Sequence, residues 1–426
     1  MTMSQSISAR STGVSLIELM VALAITALLL LGVSEIFLGS RATFTVQQAM
    51  SRSQENARFA FNVFENSIRM AGYLGCSNDK DSGLAFFNHI PADPSVSDPH
   101  SLVRFERPIE GFEYTACNDT ACDTDGNEPA VGGAGEWSPS LTNSGIPLSA
   151  SANPVKGSDV LVLRVVNAES APVLGDVVAS EANPDATFSL GPVAGDSDFL
   201  KPYGAYAATT CGLKKPRSDV FLASAASSGT SLVAGSDINL ARYGISSTTW
   251  DGTVEGLSLN KVFDQKFPPQ LNAEVHSASY IAFFVGLDAA GNPALKMQHY
   301  SGAMNGALPG LTVEDLADGV EAMQVLYGVD TNDDGLADGY FKASEVATMV
   351  VPPHPHVIYI DDSMWRDVVS VRVGLLMRGQ DVAGVPANSS GNKYTVEDAV
   401  MTRPADGRYR DVYETTIALR NRLPSS

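Results

Sequence analysis

The sequence predicts an α+β protein in which one long helix precedes a head built mostly of strands. Two observations support this fold class. No proline interrupts residues 14–72, and apolar residues recur there at helical spacing. From residue 159 onward, short segments rich in β-branched residues recur up to residue 419. A long helix followed by a series of strands is typical of an α+β fold with an antiparallel sheet.

The composition is that of an acidic globular protein of 426 residues. Hydrophobic residues make up 44%, which is ordinary for a folded chain, and the length suits two or three structural units. The net charge of −20 and the lack of a basic stripe argue against nucleic acid as a partner, because nucleic-acid binders cluster Lys and Arg against phosphates.

Residues 14–33 are apolar over a length that can cross a membrane. At about 1.5 Å per residue, about twenty helical residues span roughly 30 Å, the thickness of a hydrocarbon core. Glu18 is the one ionisable residue in this stretch. A charge at this depth is costly and requires a partner. The preceding residues 1–13 carry Arg10 and no acidic residue, which favours a cytoplasmic location for them.

This segment admits three interpretations. A cleaved secretory signal has a shorter apolar run followed by a small-residue cleavage site, and residues 34–40 show no such site. A plain membrane anchor explains the length but not Glu18. In the third interpretation the chain is cut before the apolar run, after Gly13.

The run Gly13-Val-Ser-Leu-Ile-Glu-Leu-Met20 resembles the class III leader of type IV prepilins and pseudopilins. In that family a membrane peptidase cuts after the glycine and methylates the new N-terminal residue. The resemblance implies a cleaved leader of residues 1–13, cleavage between Gly13 and Val14, and N-methylation of Val14. Val14 and Ser15 replace the usual Phe and Thr, while the glycine and glutamate keep the family's spacing.

The same resemblance implies an assembly role for Glu18. Cleavage would free an amine on Val14, and residues four apart share a helix face. A paired charge in hydrocarbon costs far less than an isolated one. In the pilin family the corresponding glutamate registers an incoming subunit against the growing filament. The alternative is a carboxylate that merely snorkels to the membrane surface.

Beyond the apolar run, the pattern predicts one pilin-like helix over residues 14–72, with residues 14–33 in the membrane and the rest against the head. The head is predicted to comprise a loop-rich and β-rich insert, 73–270, and a β-rich C-terminal region, 271–426. Residues 73 to about 157 are predicted to be irregular, because proline, Asp, Asn, Ser and Gly are frequent there. The predicted strands are 160–166, 172–179, 219–224, 230–234, 270–286, 294–300, 320–329, 369–377 and 413–419.

The C-terminal region resembles PilW-type minor pilins, in residues 323–332, in Trp365 before the next strand and in Arg408-Tyr409-Arg410. Residues 55–58 and 71–76 are similar to that family as well. The resemblance implies a minor pilin that helps to initiate type IV pilus assembly at or near the tip, with roles in adhesion and twitching motility. It implies a single-pass inner-membrane protein with a periplasmic head that later reaches the cell surface. The implied partners are other minor pilins, the major pilin, a large tip adhesin, the prepilin peptidase, the inner-membrane platform and, before assembly, membrane lipid.

Residues 330–338 match the first part of an EF-hand-like calcium loop, with glycine at position 6 for the sharp turn. Position 12 is Phe341, so the usual bidentate glutamate is absent, although Glu345 lies a little further along. The alternative is an ordinary turn rich in Asp, Asn and Gly. The predicted calcium ligands are Asp330, Asn332, Asp334, Leu336 (through its carbonyl) and Asp338.

Two other metal candidates are weaker. In the loop of Asp119, Asp123, Asp125 and Asn127, the glycine at 126 comes too early for a calcium loop, which favours a solvated loop. His354 and His356 alternate with prolines, a pattern more typical of surface residues.

The four cysteines lie beyond the apolar run, where an oxidising compartment would let them pair. Three connectivities exist for four cysteines. Cys117 and Cys122 are close enough for a small looped disulfide, and we favour that pair together with Cys76 and Cys211.

No catalytic motif is present, neither a nucleophile elbow nor a phosphate loop nor a zinc-protease signature. The chain is therefore predicted to be a substrate of the peptidase and not an enzyme. The rivals are a type II secretion pseudopilin, which shares the leader and helix, and a membrane-tethered adhesin or binding protein whose anchor is not cleaved. A secreted hydrolase is a third class, but nothing in the sequence nominates a substrate.

Overall fold

The structure is a computed structural model, and it describes most of the helix and the strands of the head. The described residues are 15–75, 85–90, 105, 107–117, 122, 131–141, 154–177, 184–193, 199–201, 203–211, 217–236, 239, 263, 266, 272–304, 309–332, 334–349, 364–382, 392–404 and 406–420.

The N-terminal helix, α1, spans Leu16–Met70 and contains 55 residues. At about 1.5 Å per residue its length is about 82 Å. The helix starts after Ser15, whose backbone is extended, and ends at Ala71. Gly72 follows with a φ of +78°, a left-handed conformation common at helix ends and accessible to glycine without steric cost. The long helix predicted for residues 14–72 is confirmed, with both ends slightly inside the predicted limits.

Within the described residues, the head contains strands β1 to β17 and a short α-helix, α2, at Ala343–Val346. In chain order the strands are β1 Ala85–Asn88, β2 Ile109–Tyr114, β3 Trp137–Ser138, β4 Val160–Pro172, β5 Ala186–Ser189, β6 Ala205–Thr210, β7 Arg217–Leu222, β8 Ser231–Ala234, β9 Ala273–Leu287, β10 Pro293–Met304, β11 Pro309–Asp318, β12 Val320–Val329, β13 Gly339–Phe341, β14 Val368–Val382, β15 Asn392–Val396, β16 Ala399–Arg403 and β17 Arg408–Ala418.

The first sheet has the strand order β1-β7-β6-β9-β4-β2-β3 and divides at the long strand β9. The first part of β9, from Ala273 to Ala278, pairs with β6 on one edge. Its later part, from Ile281 to Leu287, pairs on that edge with β10, which in turn pairs with β11. The other edge of β9 pairs with β4. The sheet is antiparallel except between β1 and β7, and it combines strands from both sides of residue 270.

The second sheet is antiparallel, with the order β13-β12-β14-β17. The antiparallel pair β5–β8 and the hairpin β15–β16 form separate two-stranded sheets. One long helix beside antiparallel sheets confirms the α+β, pilin-like architecture.

The main core lies between α1 and the two sheets. The ring of Phe64 on α1 meets that of Phe283 on β9, with 4.8 Å between centroids. In the second sheet Tyr327 meets Trp365 edge-on at 4.8 Å. All four side chains are buried, and burial of each such aromatic stabilises the fold by about 1.5–3 kcal/mol. The helix is thus fixed to both sheets at once.

Residues 157–159 join the two sheets. The backbone N–H of Asp159 donates to the Met323 carbonyl at 2.8 Å. The Asp159 carboxylate accepts the N–H of Tyr114 from β2 at 3.0 Å and that of Val325 from β12 at 2.9 Å. Close by, the Tyr327 side chain packs directly over Gly111, and a Cβ atom at position 111 would lie 1.9 Å from the Tyr327 hydroxyl oxygen. Only glycine therefore fits at position 111.

Most predicted strands are confirmed, although β5, β6 and β13 were not predicted. Three further differences have physical causes. The segment predicted to be irregular contains β2, whose residues are all buried, because Glu110 and Glu113 are paired with Arg164 and Lys342. The strand predicted at 172–179 is wrong, because β4 ends at Pro172 and only Val173 makes a further isolated bridge. Strand β11 and the β15–β16 hairpin were not predicted, because polar residues alternate through them at a sheet edge and on the surface.

Candidate functional site

The first turn of α1 places the Glu18 carboxylate at the N-terminal end of the helix. Its Oε2 atom accepts the backbone N–H of Ser15 at 3.1 Å. The first N–H groups of a helix have no partner within the helix, so an acidic side chain three residues later stabilises this end. The carboxylate therefore points back towards the residues that precede the helix. Gly13 and Val14, the predicted cleavage and methylation site, lie outside the described residues.

The N-terminal part of α1 is exposed along its whole length in the described part of the chain. Every residue from 16 to 44 is exposed, and we call this stretch the exposed half. It contains the one segment, within the described residues, that is long and apolar enough to cross a membrane. Its large side chains include Leu28 at 71% exposure and Ile36 at 75%. Such a surface requires lipid or neighbouring helices around it.

The C-terminal part of α1, residues 45–70, packs against the head, and we call it the docked half. Its buried positions are Ala49, Ser53, Ala57, Ala60, Phe64 and Ile68. Four of these side chains are small, which lets the helix axis approach the second sheet closely. The two large ones fill the core further along. The head therefore holds α1 by one face over about half of its length.

The predicted calcium loop is a network of hydrogen bonds. Buried Asp330 accepts the backbone N–H of Gly335 at 2.8 Å and those of Asn332 and Asp334 at 3.3 and 3.2 Å. Asp338 accepts the N–H and the hydroxyl of Thr331, at 2.8 and 2.6 Å. These bonds hold the pKa of Asp338 below its usual range. The loop is thus ordered by its own side chains, and Gly335 supplies the turn with a φ of +84°.

In this conformation the carboxylates of the loop do not gather around one point. Within the described residues, no group of three or more His, Cys, Asp or Glu side chains has an arrangement that could hold a metal. Leu336 is 68% exposed at the tip of the loop, and Glu345 accepts the N–H of Lys342 at the start of α2, at 2.9 Å. Calcium binding by this loop stays a prediction.

The cysteines and the weaker metal candidates fall partly outside the described residues. Cys117 and Cys122 are joined in a disulfide. Cys211 is disulfide-bonded as well, and Cys76, the partner predicted for it, lies outside the described residues. The same holds for Asp119, Asp123, Asp125, Asn127, His354 and His356.

Sequence reasoning missed a buried cluster of charges in the second sheet. Arg410 on β17 forms two bonds to the carboxylate of Glu321, at 2.7 and 3.2 Å. Arg403 and Arg378 also face this carboxylate, at 3.7 and 3.8 Å. The Glu321 side chain is fully buried. Asp406 accepts two further bonds from Arg410, at 2.7 and 3.0 Å. The packing of the second sheet, the β15–β16 hairpin and the loop before β17 brings these residues together, so the only sequence signal was charge at core positions.

A second missed group is Glu397, in the turn of the β15–β16 hairpin. Its side chain is 3% exposed, its φ is +50°, and its Oε1 atom has no hydrogen-bond partner among the described residues. Burial raises the pKa of Glu397 to about 7, and the nearby carboxylate of Glu414 acts in the same direction. Arg372 opposes this shift from 3.8 Å. This carboxyl group is buried without a donor that would stabilise its charge.

One histidine–carboxylate pair has the residue types of a catalytic dyad. His89 and Asp219 lie 2.7 Å apart, and both side chains are 0% exposed. Arg217 also contacts Asp219. Because no face of the pair reaches solvent, it has the character of a buried structural hydrogen bond beside the first sheet.

Two family models match opposite ends of the chain. Residues 282–421 match the model described as type IV pilus-assembly protein W, PilW. This match begins within β9 and includes the second sheet. Residues 8–34 match the prokaryotic N-terminal methylation motif, and that match contains Gly13, Val14 and Glu18. Neither a search of curated proteins nor a search of solved structures finds a match.

Proposed function

Because the matches at its two ends identify this chain as a prepilin of the PilW type, we propose that it is a minor pilin that helps to initiate type IV pilus assembly and lies at or near the tip. At the coarser level, it is a pilin-like structural protein of pilus assembly. Its leader and apolar helix anchor it in the inner membrane before it enters the pilus.

The observation that carries the proposal is the direction of the Glu18 carboxylate. It accepts the Ser15 N–H at the very start of α1, so it already faces the place where cleavage after Gly13 would leave the Val14 amine. A carboxylate has lone pairs for several donors, and an ammonium–carboxylate pair in an apolar environment is strong when its hydrogen bonds are satisfied. The Glu18 carboxylate can therefore accept hydrogen bonds both from the first N–H group of its own helix and from the amine of a neighbouring subunit.

The proposed mechanism follows from the exposed half of α1. Before assembly, lipid surrounds its apolar side chains. During assembly, helices of neighbouring subunits replace the lipid, and the Glu18 carboxylate pairs with a Val14 amine to fix the axial position. The docked half keeps the head on the helix throughout, through buried side chains such as Phe64 and Ile68.

The size and position of the head support a minor role at the tip. Strands inserted between residues 73 and 270 widen the first sheet far beyond the second. A subunit with so wide a head is less suited to the repeating shaft, where identical heads must stack. The C-terminal match, described as a pilus-assembly protein, favours this role over a secretion pseudopilin.

Replacement of Glu18 tests the proposal. In strains that carry the Glu18→Ala variant as their only copy, we expect surface pili to be lost or sharply reduced, because the incoming helix loses its charge partner. Glu35→Ala is the matched control, since Glu35 is the other glutamate of the exposed half, and it should keep normal pili. The measurement is electron microscopy of surface pili at equal cellular levels of the two variants.

The same strains separate the rival functions. Normal piliation with Glu18→Ala would contradict the assembly role. Loss of protein secretion with pili intact would instead support a secretion pseudopilin. In the wild type, a gold label on the head should mark pilus ends, and a label along the whole shaft would contradict the tip location.

The leader is tested at Gly13. The Gly13→Ser variant should keep residues 1–13, because the peptidase of this family requires the glycine, whereas the wild type should begin with a methylated Val14. Mass spectrometry of the N-terminal peptide measures both. A wild-type chain that still begins at Met1 would overturn cleavage and support an uncleaved membrane tether.

A further inference from the structure

Strand β17 forms one edge of the second sheet. It pairs with β14 on one side, and no described strand pairs with its other side. Backbone groups alternate in direction along an antiparallel strand, so that every second residue turns its N–H and C=O towards the same neighbour. The N–H of Leu419 donates inward, to the Val369 carbonyl of β14, at 2.9 Å. The even-numbered residues of β17 therefore turn their N–H and C=O groups outward.

Side chains close the first part of this outer edge. The N–H of Val412, which points outward, donates to the Asp411 carboxylate at 3.0 Å. The other oxygen of this carboxylate accepts the hydroxyl of Tyr409 at 2.9 Å, which holds it in place. The strand thus covers its own outward donor at Val412.

The second part of the outer edge is open. Glu414, Thr416 and Ala418 are exposed, and among the described residues their outward N–H and C=O groups have no hydrogen-bond partner. Proteins usually protect such an edge with proline, lysine, a bulge or a covering segment. Residues 413–418 contain no proline or lysine, and they pair with β14 without a register shift. We call the outward groups of these three residues the open edge.

The side chains beside the open edge define the kind of strand that fits it. On the face towards α1, Ile417 is buried and Tyr413 is half-buried against the main core. An added strand would cover them best with aliphatic side chains. On the opposite face, the exposed Glu414 carboxylate would lie beside one side chain of that strand, since cross-strand neighbours are about 4.5–5.5 Å apart. A lysine or arginine is the favourable neighbour there.

We propose that the open edge binds an extended segment of another polypeptide chain, which adds a strand to the second sheet. This segment has aliphatic residues at alternate positions and a cationic residue beside Glu414. In such strand addition the main-chain hydrogen bonds supply the affinity, and the alternate side chains supply the specificity. A cationic segment also complements a chain whose net charge is −20. The inference concerns the head alone, so it does not depend on the assembly role proposed for Glu18.

A second copy of this chain is a poor occupant of the open edge. Two identical edges that pair in the antiparallel sense are related by a twofold axis perpendicular to the sheet. Such an axis reverses every direction in the plane of the sheet, including that of α1, which packs along one face of the sheet. The exposed halves of the two copies would then point in opposite directions. Two chains anchored in one membrane cannot pair in this way.

The test uses the full mature chain in a neutral detergent and a short fluorescent peptide, and it measures binding by fluorescence polarisation. The peptide alternates valine and threonine and carries one lysine in place of a threonine. The same peptide with all its amides N-methylated is the matched probe that cannot donate hydrogen bonds. We expect the first peptide to bind in a one-to-one complex and the N-methylated peptide not to bind.

Thr416 provides a pair of variants that differ at the open edge. Thr416→Pro removes one outward N–H, and proline is tolerated at an edge where the N–H does not belong to the ladder. This variant should bind the lysine peptide at least about tenfold more weakly, because it loses a main-chain hydrogen bond and its ring obstructs the added strand. Thr416→Val keeps the N–H and should bind like the wild type. Melting curves establish that both variants are folded.

The charge of Glu414 is tested with a second pair of peptides. Glu414→Gln should weaken binding of the lysine peptide about two- to fivefold, as expected for an exposed ion pair. The same variant should bind as well as the wild type does to a peptide in which glutamine replaces the lysine. These measurements decide the proposal if Thr416→Pro does not fold.

Three results would overturn the proposal. The first is an absence of binding of the lysine peptide to the wild type, or equal binding to the wild type and to folded Thr416→Pro. The second is binding that becomes at least about tenfold tighter when residues 421–426 are removed, because the chain's own C-terminal residues would then occupy the edge. The third is a dimer of the wild type that Thr416→Pro abolishes, which would assign the edge to a second copy.

Discussion

The two halves of α1 share one continuous backbone but have opposite surroundings. In the exposed half every residue from 16 to 44 is exposed, and most of the side chains are large and apolar. In the docked half the contact positions carry four small residues followed by two large ones, Phe64 and Ile68. Lipid accepts almost any apolar side chain, because it is fluid. The head accepts only side chains that fit its sheets, because protein interiors are densely packed.

This difference separates stability from assembly along a single helix. Changes in the docked half should lower the stability of the head, whereas changes in the exposed half should alter only insertion and filament packing. The helix can then leave the bilayer for a filament without any rearrangement of the head, since the residues that change partners are not those that hold the head.

The largest expected effect is the loss of a large side chain from the docked half. Phe64 is fully buried against Phe283, and Phe64→Ala should lower the free energy of unfolding by about 3–5 kcal/mol, because a buried cavity remains. The matched control is Phe59→Ala on the same helix, where the side chain is 49% exposed and the change should be below about 0.5 kcal/mol. Urea unfolding of the full chain in detergent measures both. Similar losses for the two variants would contradict a one-sided docked half.

Much of the division of α1 into an exposed and a docked half could be predicted from the sequence, because the sequence patterns that indicate it are local. The apolar run and the helical spacing predicted α1 to within a few residues, and the Gly13–Glu18 spacing predicted the methylation motif that the family model matches over residues 8–34. The buried ion cluster could not be predicted. Glu321 on β12 and Arg410 on β17 are 89 residues apart in the sequence, and Arg403 belongs to the separate β15–β16 hairpin, so only the packing of the second sheet and this hairpin brings them together. The strand β2 was missed for a similar reason, because Glu110 looks like a surface residue until Arg164 is placed beside it.

A smaller effect on stability is expected from the ionisation of Glu397, a carboxyl group of the head. Among the described residues, neither Glu18 nor Glu397 has a cationic partner in hydrogen-bond contact, but Glu18 is exposed and Glu397 is buried. Since the pKa of Glu397 is raised to about 7, the folded chain holds this proton more tightly than the unfolded chain does. Stability should therefore fall as the pH rises from about 4.5 to about 7, by on the order of 1–3 kcal/mol, and this contribution should stay constant above that range.

The check is the melting temperature of the wild type and Glu397→Gln between pH 5 and pH 8. The neutral variant should lose this part of the pH dependence, so the two curves should differ in slope below pH 7 and run parallel above it. Glu65→Gln is the control, because Glu65 pairs with Arg69 on the surface of α1. Parallel curves for Glu397→Gln and the wild type throughout would contradict the raised pKa.

The smallest expected effect is calcium binding by residues 330–338, far from α1. Extracellular calcium sites often have dissociation constants of about 10⁻⁴–10⁻³ M, and a calcium concentration about ten times that value stabilises a protein by about 1.4 kcal/mol. Asp330 is a poor test residue, because it accepts three backbone N–H groups of the loop and its loss would also disturb the turn. Among the described residues, the Asp334 carboxylate makes only the turn contact to Leu336 N–H, at 2.8 Å. Asp334→Ala should therefore abolish a calcium-induced rise in melting temperature that the wild type and Thr331→Val keep, and an equal rise in all three chains would place the calcium elsewhere.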